Sequence, residues 1–217
     1  PKAFIFENVR GLLRKSFAKY FGYVILQLQY PEVTRREGQS WAEHLAALEE
    51  HHTAGPERGL RYRVVFQRVN AADFGVPQHR ERVVIVGFRW DIQEPWSFPQ
   101  APHSPDALHA AKWLNGTYWD EHHIPRARRP APPPGIQRTL ARIETLPFAA
   151  RWRTVRDAIV GLPDPRSPEA SRIPNHRFQP GARRYAGHTG SELDWPGKTL
   201  KAGDHGVPGG ENMMALP

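Results

Sequence analysis

Phe4-Ile5-Phe6-Glu7-Asn8-Val9 is an apolar run that closes on a carboxylate and an amide, the pattern by which a buried parallel strand delivers polar groups to the carboxyl edge of an α/β sheet. Read this way, Glu7 sits on the rim of the sheet. Further along, Gln78-His79-Arg80-Glu81-Arg82 runs into Val83-Val84-Ile85-Val86-Gly87, and period-two alternation sends Arg80 and Arg82 to one side of the chain as it enters a strand. A carboxylate and two arginines at neighbouring strand ends can clamp a planar anionic group. The plainer alternative is a solvated strand entrance, the commoner setting of a bare R-x-R.

Between these stretches the pattern alternates helix and strand. Leu13, Phe17, Tyr20, Phe21, Val24 and Leu28 recur at helical spacing beside Arg14, Lys15 and Lys19, which predicts a helix over 12–29 that covers the sheet. Ser40 is placed to cap a second helix with Trp41, Leu45 and Leu48 on one face. His44, His51 and His52 fall on that helix or just after it; without a cysteine or a well-placed carboxylate they read as a solvated helix end rather than as metal ligands. Alternation over 60–67 and the β-branched run over 83–88 predict two strands forming an antiparallel pair at the sheet edge, joined by a loop with Gly75 and Pro77.

Beyond Arg89 the character changes. Pro95, Pro99, Pro102 and Pro105 interrupt regular structure, a helix is predicted over 108–119, and a Pro/Arg-rich segment follows at 124–135. Short helices are expected at 136–143 and 154–162, the second started by Thr154 and ended by Gly161 and Pro163. The stretch after Arg172 is loop-rich, basic and crowded with glycine. There Arg183, Lys198, Thr199, Leu200, Lys201, Gly209 and Gly210 suit phosphate and base-edge contact as well as they suit an ordinary surface.

A chain of 217 residues can bury a substantial core, and two lobes are expected. Lysine and arginine exceed aspartate and glutamate by 30 to 22, a net charge of +8 that favours a polyanionic partner, nucleic acid first. Apolar runs are too short to span a bilayer and Pro1-Lys2-Ala3-Phe4 is no signal peptide, so a soluble, cytoplasmic protein is expected, associated with the nucleoid. The sequence contains no cysteine, which removes disulfides, thiolate metal sites and any thiol nucleophile of its own. Its first residues lie inside a strand signal and its last outside any element, so it reads as a piece of something longer.

Taken together, Phe6-Glu7-Asn8-Val9 with Gly11-Leu12 resembles the E-N-V motif of the DNA cytosine-5 methyltransferases of bacterial restriction-modification systems. Asp73-Phe74-Gly75-Val76-Pro77-Gln78-His79-Arg80-Glu81-Arg82 resembles that family's Q-x-R-x-R motif with its usual leader. Pro196-Gly197-Lys198-Thr199-Leu200 with Gly209-Gly210 is similar to the end of its target recognition domain. The resemblance implies an α/β fold, part of a Rossmann-like methyltransferase sheet (a parallel strand plus an antiparallel edge pair) with a smaller loop-rich lobe. It implies a partial catalytic domain at 1–90 and a target recognition domain at 91–217.

In such enzymes a cysteine thiolate adds to cytosine C6, and the resulting enamine takes the methyl group of S-adenosylmethionine at C5. By resemblance Glu7 supplies the hydrogen bond or proton to ring N3, while Arg80 and Arg82 hold the base carbonyl, Glu7 and the adjacent phosphate. The base must leave the helix stack to reach them. Asn8, Gln78, Arg183, Lys198, Thr199, Leu200, Lys201, Gly209 and Gly210 are the implied DNA-binding residues, double-stranded DNA is the implied partner, and S-adenosylmethionine the implied cofactor. The glycine-rich cofactor motif, the Pro-Cys dipeptide and the helical segment after the recognition domain are absent. Three explanations stay open: an excised piece, a split enzyme whose second subunit brings the missing half and its cysteine, or a degenerate remnant. A DNA-binding module without catalysis is the competing function.

Overall fold

In the computed structural model, residues 1–55, 59–93, 95–143, 149–178, 180, 190–200 and 214–215 are described. They divide into two units: Pro1–Val69 with Glu81–Pro99, and Asn70–Arg80 with the chain from Gln100 onward.

The first unit is a three-stranded sheet backed by two helices. Its strands, β1 (Ala3–Val9), β2 (Tyr62–Asn70) and β3 (Glu81–Arg89), lie in the order β1-β3-β2. β3 takes the centre because its apolar run is nearly unbroken: Val83, Ile85, Val86 and Gly87 are all buried, as a strand covered on both faces requires. β1 runs antiparallel to β3, with Glu7 opposite Val84 and Val9 opposite Arg82. The strand expected to be parallel therefore meets its described neighbour head to tail, and the expected edge pair includes the central strand. Phe4 lies across from Gly87, where any Cβ would overlap its ring, so glycine is required there.

Helix α1 (Ala18–Gln29) packs Phe21, Ile25 and Leu28 against Val83, Ile85, Phe4 and Val64. It starts later than 12, because Arg10–Leu13 and Lys15–Phe17 form single 3₁₀ turns first. Its opposite side, through Tyr23 and Leu26, meets Leu45 and Leu48 of α2 (Trp41–Ala54). A helix sandwiched in this way needs two apolar stripes, which is why its sequence is apolar at more positions than one face accounts for. Ser40 opens α2 with a reciprocal capping box to Glu43. His44 is buried, with Tyr23 Oη 3.0 Å from Nδ1 and the Val33 carbonyl 2.9 Å from Nε2.

The second unit is irregular and aromatic. β4 (His103–Ser104) pairs in parallel with β5 (Ala150–Arg151), and β6 (Ser191–Glu192) with β7 (Met214–Ala215). The helix predicted over 108–119 is broken: α3 (Pro105–His109) continues as a π-helical turn to Leu114, and α4 (Thr117–Glu121) follows. Gly116, at φ +75°, makes the break. Helix α5 (Ile136–Ile143) stands where the pattern placed it, and α6 (Val155–Ile159) begins at a Thr154 capping box. The core gathers Ala72, Leu108, Ala111, Tyr118, Trp119 and Trp152. Beside it Lys112 is buried, its ammonium bonded to the Asp194 carbonyl and 4.1 Å from the Trp195 ring centre.

Candidate active and nucleic-acid-binding site

Directly opposed residues of an antiparallel ladder share a face. Phe4 lies opposite Gly87, Phe6 opposite Ile85 and Asn8 opposite Val83, and Val83 and Ile85 pack on α1. Glu7, Val9, Val84 and Arg82 accordingly project from the other face. There the Arg82 guanidinium forms an ion pair with Glu7 through Nε and Oε1. Arg82 is well covered, at 19% side-chain exposure, whereas Glu7 is 52% exposed, so the arginine acts as the fixed partner and the carboxylate faces solvent. Arg82 also donates from Nη1 to the Glu81 carbonyl, 2.9 Å away. Glu81 itself points to a separate cluster with Arg10 and Arg68.

Asn8 lies on the α1 face, exposed, its Oδ1 accepting from the Val9 amide at 2.8 Å. Adjacent residues of a strand face opposite ways, so Glu7 and Asn8 do not share a site surface. Exposure dominates the whole of β1: Ile5 is 71% and Val9 58% exposed. An apolar outer strand this open does not enclose a ligand by itself.

Arg80 belongs to the loop of the second unit. Its side chain is exposed, while its amide donates to Asn70 Oδ1 at 3.1 Å and its carbonyl accepts from the Ala71 amide at 3.0 Å. Asn70 Oδ1 accepts from the Ala72 amide as well, at 3.3 Å, so one side chain ties the start of the loop to its end, a role that the sequence reading missed. Gly75, at φ +81° with the His103 ring against it, permits the loop to turn.

Within the same unit, Gln78 and Gly197 form a parallel bridge, the Gly197 amide donating to the Pro77 carbonyl at 2.9 Å and the His79 amide to the Gly197 carbonyl at 2.7 Å. Thr199 Oγ1 donates to the His79 carbonyl. The Lys198 amide donates to Ser191 Oγ, 2.9 Å away, and Leu200 is exposed. Gln78, Lys198, Thr199 and Leu200 therefore gather on one bridged pair of segments. Arg183, Lys201, Gly209 and Gly210 lie outside the described residues.

A partly buried ionic network lies in the same unit. The Asp194 carboxylate takes two bonds from Arg156, at 2.6 and 3.1 Å, and one from the Tyr118 hydroxyl at 2.8 Å. Burial opposes the charge of Asp157, but bonds from Arg151 and from the Thr154 backbone prevail and hold it well below the usual carboxylate range. Among the described residues no cluster of three or more metal-ligating side chains exists, and no helix is long and apolar enough to cross a membrane.

A family profile described as C-5 cytosine-specific DNA methylase matches residues 47–145. The type II methyltransferase M.AquIA of Picosynechococcus sp. is 34% identical over 105 residues, 48% of this chain and 33% of that protein. M.BsuRI of Bacillus subtilis, another type II methyltransferase, is 33% identical over 106 residues, covering 49% and 18%. The DNA (cytosine-5-)-methyltransferase M.ApeKI of Aeropyrum pernix is 36% identical over 93 residues, covering 42% and 18%. The chain thus spans a third or less of the length of these relatives. No solved structure matches it.

Proposed function

We propose that this chain, whose residues 47–145 match a C-5 cytosine-specific DNA methylase profile and which is similar over about half its length to type II methyltransferases, forms part of a DNA (cytosine-5-)-methyltransferase of the restriction-modification kind. In this reading a methyl group passes from S-adenosylmethionine to C5 of a cytosine flipped out of duplex DNA. The observation that carries the proposal is the ion pair between Glu7 and Arg82 on one face of the β1–β3 ladder.

Arg82 engages Oε1 of Glu7 and tethers the carboxyl group at that oxygen, and Oε2 is the atom assigned to ring N3 of the base. A proton or hydrogen bond given there drains electron density from C6 and opens it to a nucleophile. Arg80, exposed at the end of its loop, is assigned to the base carbonyl and the neighbouring phosphate, which suit a planar fork. Gln78, Lys198, Thr199 and Leu200 form the DNA-facing group of the second unit, joined in the proposal by Asn8, Arg183, Lys201, Gly209 and Gly210. We assign partial catalysis to 1–90 and target recognition to 91–217.

S-adenosylmethionine supplies the methyl group when bound. The open residues of β1 do not cradle it, so its pocket is assigned to other segments of the enzyme. The nucleophilic cysteine also comes from elsewhere, since this sequence has none. The exposed apolar strand β1 supports a complementing half or subunit that covers it.

The same lack of cysteine favours a second reading, a DNA-binding subunit without chemistry. Combining the chain with a methyltransferase half that carries the Pro-Cys segment, and following transfer of labelled methyl to DNA, separates the two. Transfer that requires both parts supports the enzyme. Salt-sensitive DNA binding without transfer supports the second reading.

A further inference from the structure

The loop Asn70–Arg80 interrupts the strand sequence of the first unit yet belongs to the second, and one side chain there grips it twice. Trp152 Nε1 donates to Asp73 Oδ1 at 2.9 Å, near the start of the loop. The same indole meets the His79 ring edge-on, with centroids 4.7 Å apart at 85°, near its end. Trp152 is 8% exposed and packs with Ala72, the loop's own buried residue, in the core with Leu108 and Trp119.

The backbone of Trp152 is fixed as well. It follows β5, and its amide donates to the Ser104 carbonyl of β4 at 3.2 Å. A rigid bicyclic side chain held at its base and touching the eleven-residue loop near both ends restricts the one stretch, Gln78-His79-Arg80, whose exact placement a base clamp needs.

We infer that Trp152, acting through Asp73 and His79, is a positioning residue that sets the location of Arg80 for the target nucleotide. The inference rests on the role given above to Arg80. Trp152 touches neither substrate nor cofactor; it presents the residue that does. Its partner in this task is Asp73, which accepts a hydrogen bond from the indole N–H and ties the first turn of the loop to the core.

The test uses Trp152→Phe, Asp73→Ala and Asp73→Asn in the full chain. Amide hydrogen exchange over 71–80 is read first: Trp152→Phe and Asp73→Ala should raise it about tenfold, leave β3 and α1 protected, and Asp73→Asn, which keeps the acceptor oxygen, should restore it. In the chain combined with its complementary half, the KM for DNA should rise about tenfold for the first two variants with the KM for S-adenosylmethionine unchanged, and Asp73→Asn should return to within about twofold. Exchange unchanged in both variants overturns the inference, as does altered exchange with an unchanged KM for DNA. If the wild-type combination transfers no methyl group, the enzyme reading fails on that result alone. The exchange arm, read with the DNA affinity of the isolated chain and its variants, then decides the positioning role.

Discussion

Arg82 and Glu7 are diagonal neighbours on the antiparallel ladder between β1 and β3, and their side chains meet as an ion pair on the face away from α1. A half-exposed pair of this kind contributes about 0–1 kcal/mol to stability, so its value is orientation. Glu7→Gln should therefore leave the urea midpoint of the isolated chain nearly unmoved. In the complemented enzyme the same change should lower the methylation rate about a hundredfold or more, the usual effect of removing a general acid. An unchanged rate would remove Glu7 from the proposed chemistry.

Lys198 sits on the segment bridged to Gln78, and its ammonium is assigned to a DNA phosphate. Lys198→Ala should weaken duplex binding at every sequence tested and reduce the slope of log K against log salt by about one. Fluorescence anisotropy across a salt series measures both. A slope equal to that of the wild type would place Lys198 off the DNA.

Much of the first unit could be read from its residues, because hydrophobic periodicity records burial directly. The strands appear as β-branched runs, Ser40 announces α2 through its capping box, and of the carboxylate and two arginines expected together at the strand ends, Glu7 and Arg82 form an ion pair. Neither the direction nor the exposure of β1 was legible, since an apolar run marks a strand but tells neither which way its partner runs nor what covers it, and β1 is open along most of its length. The break at Gly116 was likewise hidden by apolar spacing continuous on both sides of it. Trp152 and Asn70 escaped notice for another reason: a tryptophan beside a loop and an asparagine at a strand end are unremarkable until folding brings distant residues to them. The resemblance that pointed Thr199 toward DNA could not reveal that its hydroxyl is already bonded to the His79 carbonyl.

Lys112 gives the second unit a pH signature. Burial pushes its ammonium down to about 8, against the opposing pull of Asp194 and Glu192 and with help from Arg151 and Arg156. Its unfolded value is about 10.4. Below about 8 both states carry the proton and stability has no slope from this group. Between about 8 and about 10 the unfolded chain holds more protons than the native one, so stability rises with pH, by up to about 3 kcal/mol in all. Tyr118, raised by burial, keeps its proton throughout that interval, and the unfolded tyrosine begins to subtract only near about 10. Urea unfolding between about pH 7.5 and 9.5 should show the rise, and Lys112→Met should flatten it.

The histidines of α2 separate a structural role from a metal site. His44 fills its position with two hydrogen bonds, to the Tyr23 hydroxyl and the Val33 carbonyl, and His52 Nδ1 lies 2.6 Å from the Tyr30 hydroxyl. Two rings so engaged on the same helix pair lock α1 to α2 beside Leu45 and Leu48. Zinc added to the chain should therefore leave its melting temperature unchanged. His44→Leu should cost about 1–3 kcal/mol, because the Val33 carbonyl and the Tyr23 hydroxyl lose their partner in a buried setting. In a Tyr23→Phe background the same substitution should cost less, since one of the two stranded groups is already gone. A zinc-dependent rise in melting temperature that disappears with His44→Leu would instead identify the pair as ligands and overturn the structural assignment.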